Sequence, residues 1–292
     1  MIARNAPAKV NLYLRIVGRR ADGYHLLDSL VAFATLGDRV EAEAADDLSL
    51  ALDGPFAYPL AVETTDDNLV LRAAHALAAR LGIAPKARLR LTKNVPIAAG
   101  LGGGSADAAA ALHVLNALWR ADLPEKDLAD IATGLGADVP MCLAGHVATV
   151  SGIGEQVGPA LSLPACGLVL VYPMTPLPTV SVFRAAAARS ANASVATAPL
   201  PITRTPTTVA ALAQALTARG NDLTDAALSL MPEIGTILAT LHATPGCRYA
   251  AMSGSGASCF ALFDDVLMAE AARLDIEAAN PRWWTYSGAF LD

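Results

Sequence analysis

The chain of 292 residues has room for one large or two medium domains, and its 54% hydrophobic and 16% charged content supplies packed cores and excludes general disorder. A net charge of −6 excludes non-specific binding to nucleic acid, so any phosphorylated ligand must be held by local donors against the overall field. Cys142, Cys166, Cys247 and Cys259 form no Cys-x-x-Cys pair and stand near no histidine cluster, so they read as reduced, buried thiols of a cytoplasmic protein, with neither a disulfide framework nor a zinc site.

Residues 8–17 alternate as a strand does, with Val10, Leu12, Leu14 and Ile16 on one face and Lys9, Asn11, Tyr13 and Arg15 on the other. A polar turn at 18–23 follows, with Asp22-Gly23 at its tip, and 24–36 is a second extended segment. Residues 39–44 and 48–52 read as a further hairpin. Helical spacing over 68–81 has Asp66 or Asp67 as its cap and Gly82 as its stop. Residues 87–92 alternate as a strand, 106–119 are helical, and 124–135 form a helix that opens on Pro124 and stops at Gly136.

Residues 146–150 read as an edge strand. The long uncharged stretch 156–183 carries five prolines, which rules out a membrane-spanning helix, and no apolar run at the N-terminus suggests a signal peptide. The prolines at 159–164 mark the expected boundary between domains 1–160 and 161–292. Beyond it come a strand at 168–172, a helix at 180–189 and a polar loop at 190–207. Helices at 209–219, 224–230 and 233–243 precede a strand at 249–253 and a second glycine turn. A strand at 259–263, a helix at 266–278 and a strand at 283–287 complete the pattern. Strands and helices mix without strict alternation and without an internal repeat, which predicts an α+β chain in two domains.

The strand at 87–92, the glycines at 100 and 102–104, and the helix beyond them make a phosphate-holding arrangement. Glycines let backbone N–H groups approach a ligand, and a helix N-terminus adds partial positive charge. Ser105 is placed to cap the helix or to offer its hydroxyl to phosphate or magnesium. A flexible linker is the bland alternative, but Leu101 and the surrounding alanines suit a packed turn better. No Gly-Lys-Ser/Thr follows, which excludes a Walker A loop, and no sixth-position glycine completes a dinucleotide fingerprint.

Three other stretches carry polar groups that the local pattern does not require: Lys9 and Asn11 in the first strand, Asp22-Gly23-Tyr24-His25, and Gly136-Ala137-Asp138-Val139-Pro140. Each alone also reads blandly, as a solvated edge charge, a turn with an incidental aromatic pair, and a turn aspartate.

Together they resemble the 4-diphosphocytidyl-2-C-methyl-D-erythritol kinases, a branch of the GHMP superfamily. Pro7-Ala8-Lys9-Val10-Asn11-Leu12 and Gly18-Arg19-Arg20-Ala21-Asp22-Gly23-Tyr24-His25 resemble that family's first motif. Residues 96–110 resemble its phosphate loop, 136–140 its aspartate motif, and 252–258 its late glycine turn. The motifs occur in family order over residues 7–258, and the Gly-Arg-Arg-x-Asp-Gly-Tyr-His stretch is the part that points to the diphosphocytidyl branch.

The resemblance implies ATP-dependent phosphorylation, with Mg2+, of a diphosphocytidyl methylerythritol hydroxyl. It implies an S5-like N-terminal domain and a ferredoxin-like C-terminal domain. By the same resemblance Asp138 is the base or orienting group, and Lys9 pairs with it and offsets charge on the transferred phosphoryl. Pro96, Ile97, Ala98, Ala99, Gly100, Leu101, Gly102, Gly103, Gly104, Ser105 and Ala106 would hold ATP phosphates, with Asn68 and Lys93 near the nucleotide. Asn11, Tyr24, His25, Thr179 and Phe183, together with Asp138, match substrate-side positions. Ala106 departs from the second serine of many relatives. A homoserine or mevalonate kinase has no use for an aromatic and a histidine arranged around a base. A catalytically silent ligand sensor would not need to keep both Lys9 and Asp138.

Overall fold

The computed structural model describes residues 1–58, 68–190, 200–202 and 206–291. They form two compact units, Met1–Ala8, Leu36–Ile97 and Gly102–Gly145 in the first, Lys9–Thr35, Ala98–Leu101 and His146–Asp292 in the second. Strands β1 (Ile2–Arg19) and β2 (His25–Glu43) each begin in one unit and run into the other.

In the first unit the end of β2 pairs antiparallel with β4 (Ala87–Thr92), and β4 pairs parallel with β3 (Leu48–Asp53). The hairpin expected from 39–44 and 48–52 is therefore not formed. β4 takes the place beside β2 because Ala87, Leu89 and Leu91 are fully buried there, whereas Leu48, Leu50 and Leu52 remain half-buried. The opposite face of β4 carries Arg88, which pairs with Glu43 across the strands at 2.7 Å.

Four helices belong to this unit: α1 (Leu69–Leu81), α2 (Gly103–Leu118), α3 (Glu125–Leu135) and α4 (Val139–Ala144). The N-cap of α1 is Asn68, whose side chain accepts from the Val70 amide at 2.9 Å; Asp66 and Asp67 lie outside the described residues. Gly82 ends α1 in the left-handed region, as its position after the last periodic leucine predicts. The alanines at 106 and 108–111 are buried around most of α2, and their small size lets α1 and α4 pack directly against it.

In the second unit the first half of β2 pairs with β5 (Ala148–Gly152), and β6 (Gln156–Ala160) pairs with the other side of β5. Residues 146–150 thus do not supply an edge strand. β6 pairs beyond β5 in the position where Pro159, lacking an N–H, is tolerated. A separate antiparallel sheet runs β10 (Trp284–Gly288), β7 (Gly167–Tyr172), β9 (Cys259–Phe263), β8 (Tyr249–Met252). Its central strands β7 and β9 are buried at every position, which is why their sequences are continuous apolar runs.

Helix α9 (Val266–Ala279) packs on β7, β9 and β10, while α6 (Val209–Thr217) and α8 (Glu233–Ala243) pack on β8 and β9. Helices α5 (Thr179–Ser190) and α7 (Thr224–Leu230) complete the unit. Most of the polar loop expected over 190–207 lies outside the described residues. All four cysteines are free thiols, three of them buried and Cys247 half-buried. Among the described residues no helix is long and apolar enough to cross a membrane.

Candidate active site

The polar face of β1 is buried. Lys9 is 4% exposed and Asn11 6%, so the lysine is not a solvated edge charge. Burial of an ammonium requires partners, and Lys9 Nζ donates to Asn11 Oδ1 at 2.7 Å. Asn11 Nδ2 donates to Ser29 Oγ at 2.8 Å, and Ser29 Oγ donates to the Tyr13 carbonyl at 2.6 Å. Both ends of the Asn11 amide are thereby fixed, and its oxygen directs the Lys9 ammonium. The Lys9 backbone N–H donates to the Leu101 carbonyl at 2.8 Å, tying the strand to the glycine loop.

The loop and the late glycine turn, separated by about 150 residues of sequence, meet backbone to backbone. The Ser258 N–H donates to the Ala99 carbonyl at 3.1 Å. Gly100 has φ 77°, and a Cβ there would lie 2.2 Å from the Gly256 carbonyl oxygen, so only glycine fits. The late turn is closed by Gly256 N–H donating to Ser253 O and Ser253 N–H to Ser258 O, both at 2.9 Å. Its Ser255 hydroxyl lies 2.9 Å from the Thr179 hydroxyl at the start of α5.

One turn further along α5, Phe183 faces the His25 ring with centroids 5.3 Å apart. Burial, and next the charge of Arg19, hold the His25 pKa below its ordinary value, which keeps the imidazole neutral with one donor and one acceptor nitrogen. The turn expected over 18–23 is confined to Arg20–Gly23, because β1 runs on to Arg19, with Asp22 accepting from the Tyr24 N–H at 3.3 Å. Tyr24 itself is 59% exposed. Thr179, Phe183 and His25 are brought into one neighbourhood, and Tyr24 stands at its exposed turn.

In the first unit, α2 begins at Gly103 with Gly102 as N-cap at φ 64°. The helix starts three residues earlier than the alanine pattern predicts, so Ser105 is not the cap but lies in the first turn. The first helical bond runs from Ala106 N–H to Gly102 O at 2.9 Å, leaving the amides of Gly103, Gly104 and Ser105 without intrahelical acceptors.

Beneath this turn lies a buried ion cluster. Lys93 Nζ donates to Asp38 and, at 2.7 Å, to Asp107 Oδ2. Asp38 Oδ1 also accepts from the Asn94 and Val95 amides at 2.6 and 2.8 Å. Burial works against the charge on Lys93, but Asp107 and Asp38 outweigh it and raise its pKa. Burial also pushes the Asp107 carboxyl up to about 8, with Lys93 opposing and Asp38 adding to the rise. A Cβ on Gly103 would sit 3.3 Å from Lys93 Nζ, so glycine lets the helix end close over the cluster. Lys93 therefore supports the loop from below.

Asp138 occupies the N-cap position of α4, yet its side chain makes no capping hydrogen bond. Val139, Pro140 and Met141 are buried and hold that short helix in place. An aspartate at a cap position that does not cap has its carboxylate directed elsewhere. Sequence reasoning missed Ser29 and Asp38, and gave Asp107 and Ser253 only as members of the motifs at 96–110 and 252–258, without a role. Only Asp107 left a visible sign, as a lone acid among the five alanines at 106 and 108–111. Among the described residues no three His, Cys, Asp or Glu side chains stand together to hold a metal ion.

Comparison with known proteins identifies the family. The model for the GHMP kinases N terminal domain matches residues 68–146, and that for GHMP kinases C terminal matches 204–280. A 4-diphosphocytidyl-2-C-methyl-D-erythritol kinase from Paramagnetospirillum magneticum is 48% identical over 96% of this chain and 95% of its own length. One of the same name from Cereibacter sphaeroides is 50% identical over 96% and 95%. The crystal structure of a 4-(cytidine 5'-diphospho)-2C-methyl-D-erythritol kinase aligns over the whole of both chains at 34% identity with a TM-score of 0.77. A homoserine kinase from Cytophaga hutchinsonii, at 19% identity and TM-score 0.70 over 99% of this chain and 94% of its own, shares the fold. The chain belongs to the 4-diphosphocytidyl-2-C-methyl-D-erythritol kinase family of the GHMP kinases.

Proposed function

We propose that the chain transfers the γ-phosphoryl group of ATP to a hydroxyl of 4-diphosphocytidyl-2-C-methyl-D-erythritol, a step of the non-mevalonate route to isoprenoid precursors. The observation that carries this reading at the site is the buried Lys9, aimed by Asn11 and joined through its backbone to the glycine loop. Use of ATP follows from membership of the GHMP kinases.

In this reading the substrate oxygen forms a bond to the γ-phosphorus while the bond to the β–γ bridging oxygen breaks, and ADP leaves with the electron pair. A hydroxyl is barely acidic, so positioning and charge neutralisation supply most of the acceleration. Asp138 accepts or orients the hydroxyl proton. Lys9 offsets charge on the phosphoryl oxygens, and the open amides at 103–105 bind ATP phosphates. Asn68 and Lys93 flank the nucleotide, Lys93 by supporting the loop. His25, Phe183 and Thr179 form the substrate side with Asn11 and Tyr24; a neutral imidazole can both donate to and accept from a cytosine edge.

Mg2+ would be held mainly by phosphate oxygens, with the Ser105 hydroxyl in the first turn of α2 as a protein ligand, since this ion commonly takes few protein groups. Bound there it would neutralise phosphate charge. The test is an ADP-release assay with the diphosphocytidyl substrate, homoserine and mevalonate in parallel. Wild-type protein is expected to turn over the first alone, and Asp138→Asn to lose about 10²-fold or more of kcat while keeping ATP affinity. Near-normal turnover by a folded Asp138→Asn protein would remove the catalytic assignment.

A further inference from the structure

The tripeptide Gly220-Asn221-Asp222, which links α6 to α7, is fastened to β1. Leu14 N–H donates to the Gly220 carbonyl at 3.1 Å, Asp222 N–H to the Leu14 carbonyl at 2.9 Å, and Ile16 N–H to the Asp222 carboxylate at 2.8 Å. From this seat Asn221 reaches the late glycine turn. Its Nδ2 donates to the Met252 carbonyl at 2.9 Å and to the Gly254 carbonyl at 2.8 Å. Its Oδ1 accepts from the Leu223 N–H at 3.0 Å, which fixes the sense of the amide.

The turn then returns to the strand on which Asn221 rides. Asn11 N–H donates to Ser253 Oγ at 3.1 Å, and a Cβ on Gly254 would lie 3.1 Å from Asn11 Oδ1. Strand, tripeptide and turn thus close a ring. On one side of it is Asn11, the residue that aims Lys9; on the other is Gly256, in contact with Gly100 of the loop. Nothing local requires an asparagine at 221. The α7 terminus uses only its oxygen, and an aspartate would serve that bond as well.

We propose that Asn221 is a positioning residue for phosphoryl transfer. By gripping the two carbonyls that flank Ser253 it sets the spacing of the late glycine turn against Asn11 and Gly100, and through them the aim of Lys9 and the seat of the ATP phosphates. The proposal rests on the kinase reading above.

Asn221→Asp tests it, because it keeps size and the bond to Leu223 but sets an oxygen against two carbonyl oxygens. Asn221→Ser, smaller and uncharged, separates loss of the grip from added charge. Kinetics are measured beside wild type, with circular dichroism and thermal melts at the assay temperature. Both variants are expected to fold, to lose about tenfold or more of kcat, and to keep the KM of the diphosphocytidyl substrate within about threefold. Wild-type kcat in either folded variant overturns the proposal. So does a loss carried by that KM alone, or failure of both variants to fold at any assay temperature, since Asn221 would then hold the fold and not the turn. Inactive wild-type protein would instead remove the kinase reading, which keeps the two failures apart.

Discussion

Gly100→Ala isolates the contact of the two glycine turns. The added Cβ falls 2.2 Å from the Gly256 carbonyl oxygen and 2.8 Å from its carbon, more than about 1 Å inside van der Waals contact. Neither obstacle is the end of a flexible side chain, so the turns must separate by about that distance. The φ of 77° adds strain of about 1–2 kcal/mol for an alanine, and overpacking adds about 1–3 kcal/mol. A total of about 2–5 kcal/mol leaves a domain of ordinary stability, about 5–15 kcal/mol, still folded. Activity should suffer more, because a misplacement of about 1 Å near the reacting groups can cost about 10²-fold. The control is Gly82→Ala, at φ 68° with nothing within 4 Å, which carries the strain without the collision. Melts and kcat/KM for ATP are measured on both. Gly100→Ala is expected to lose about 10²-fold in kcat/KM, and Gly82→Ala to lose stability alone. Equal kinetics in the two variants would refute the reasoning.

Asp107→Asn tests the buried cluster through pH. The folded carboxyl titrates at about 8 against about 3.9 in the unfolded chain, so the folded state binds more protons in that window and this group's contribution falls as pH rises through it. The Tm difference should therefore move in favour of the variant as pH rises from about 5 to about 8; parallel curves would contradict the assignment. Base selection tests His25. Cytosine offers an amino donor and a ring-nitrogen acceptor where uracil has these reversed, so the cytidine substrate should exceed its uridine analogue by about 10²-fold in kcat/KM. His25→Ala should shrink that ratio, and Tyr24→Ala, at an exposed position, should lower both rates alike. A ratio near one for wild type would exclude a base-reading role.

The strands and helices that bury one stripe or one whole run were legible, as in β7, β9, α7 and α8, because apolar spacing alone decides them. Pairing was less so. The polar Asp46-Asp47 suggests a local turn back, whereas β3 finds its partner in β4 some forty residues on, and parallel pairing leaves no local sign. At the site, glycines and motif aspartates stood out because their local pattern did not need them. The supporting residues did not stand out. Ser29, Ser253 and Asn221 are ordinary polar residues whose partners lie 18, 242 and 31 positions away. Asn11 was visible as a motif residue, but its hold on Lys9 is visible only in three dimensions.

Because neither compact unit is a single stretch of chain, segments of the second unit, Lys9–Thr35 and Ala98–Leu101, are made before the first unit is complete. All segments of the first unit have been made by Gly145, but the glycine loop is completed only when residues 253–258 arrive to meet Ala99 and Gly100. At about 5–20 residues per second the ribosome delivers that turn roughly 10–30 s after the loop. A nascent or truncated chain that lacks residues 253–258 therefore carries Ala99 and Gly100 without their backbone partners, and on the kinase reading proposed above is expected to lose ATP turnover. The backbone partners of Ala99 and Gly100 thus come from a segment made well after them, so the contact between the two glycine turns forms late.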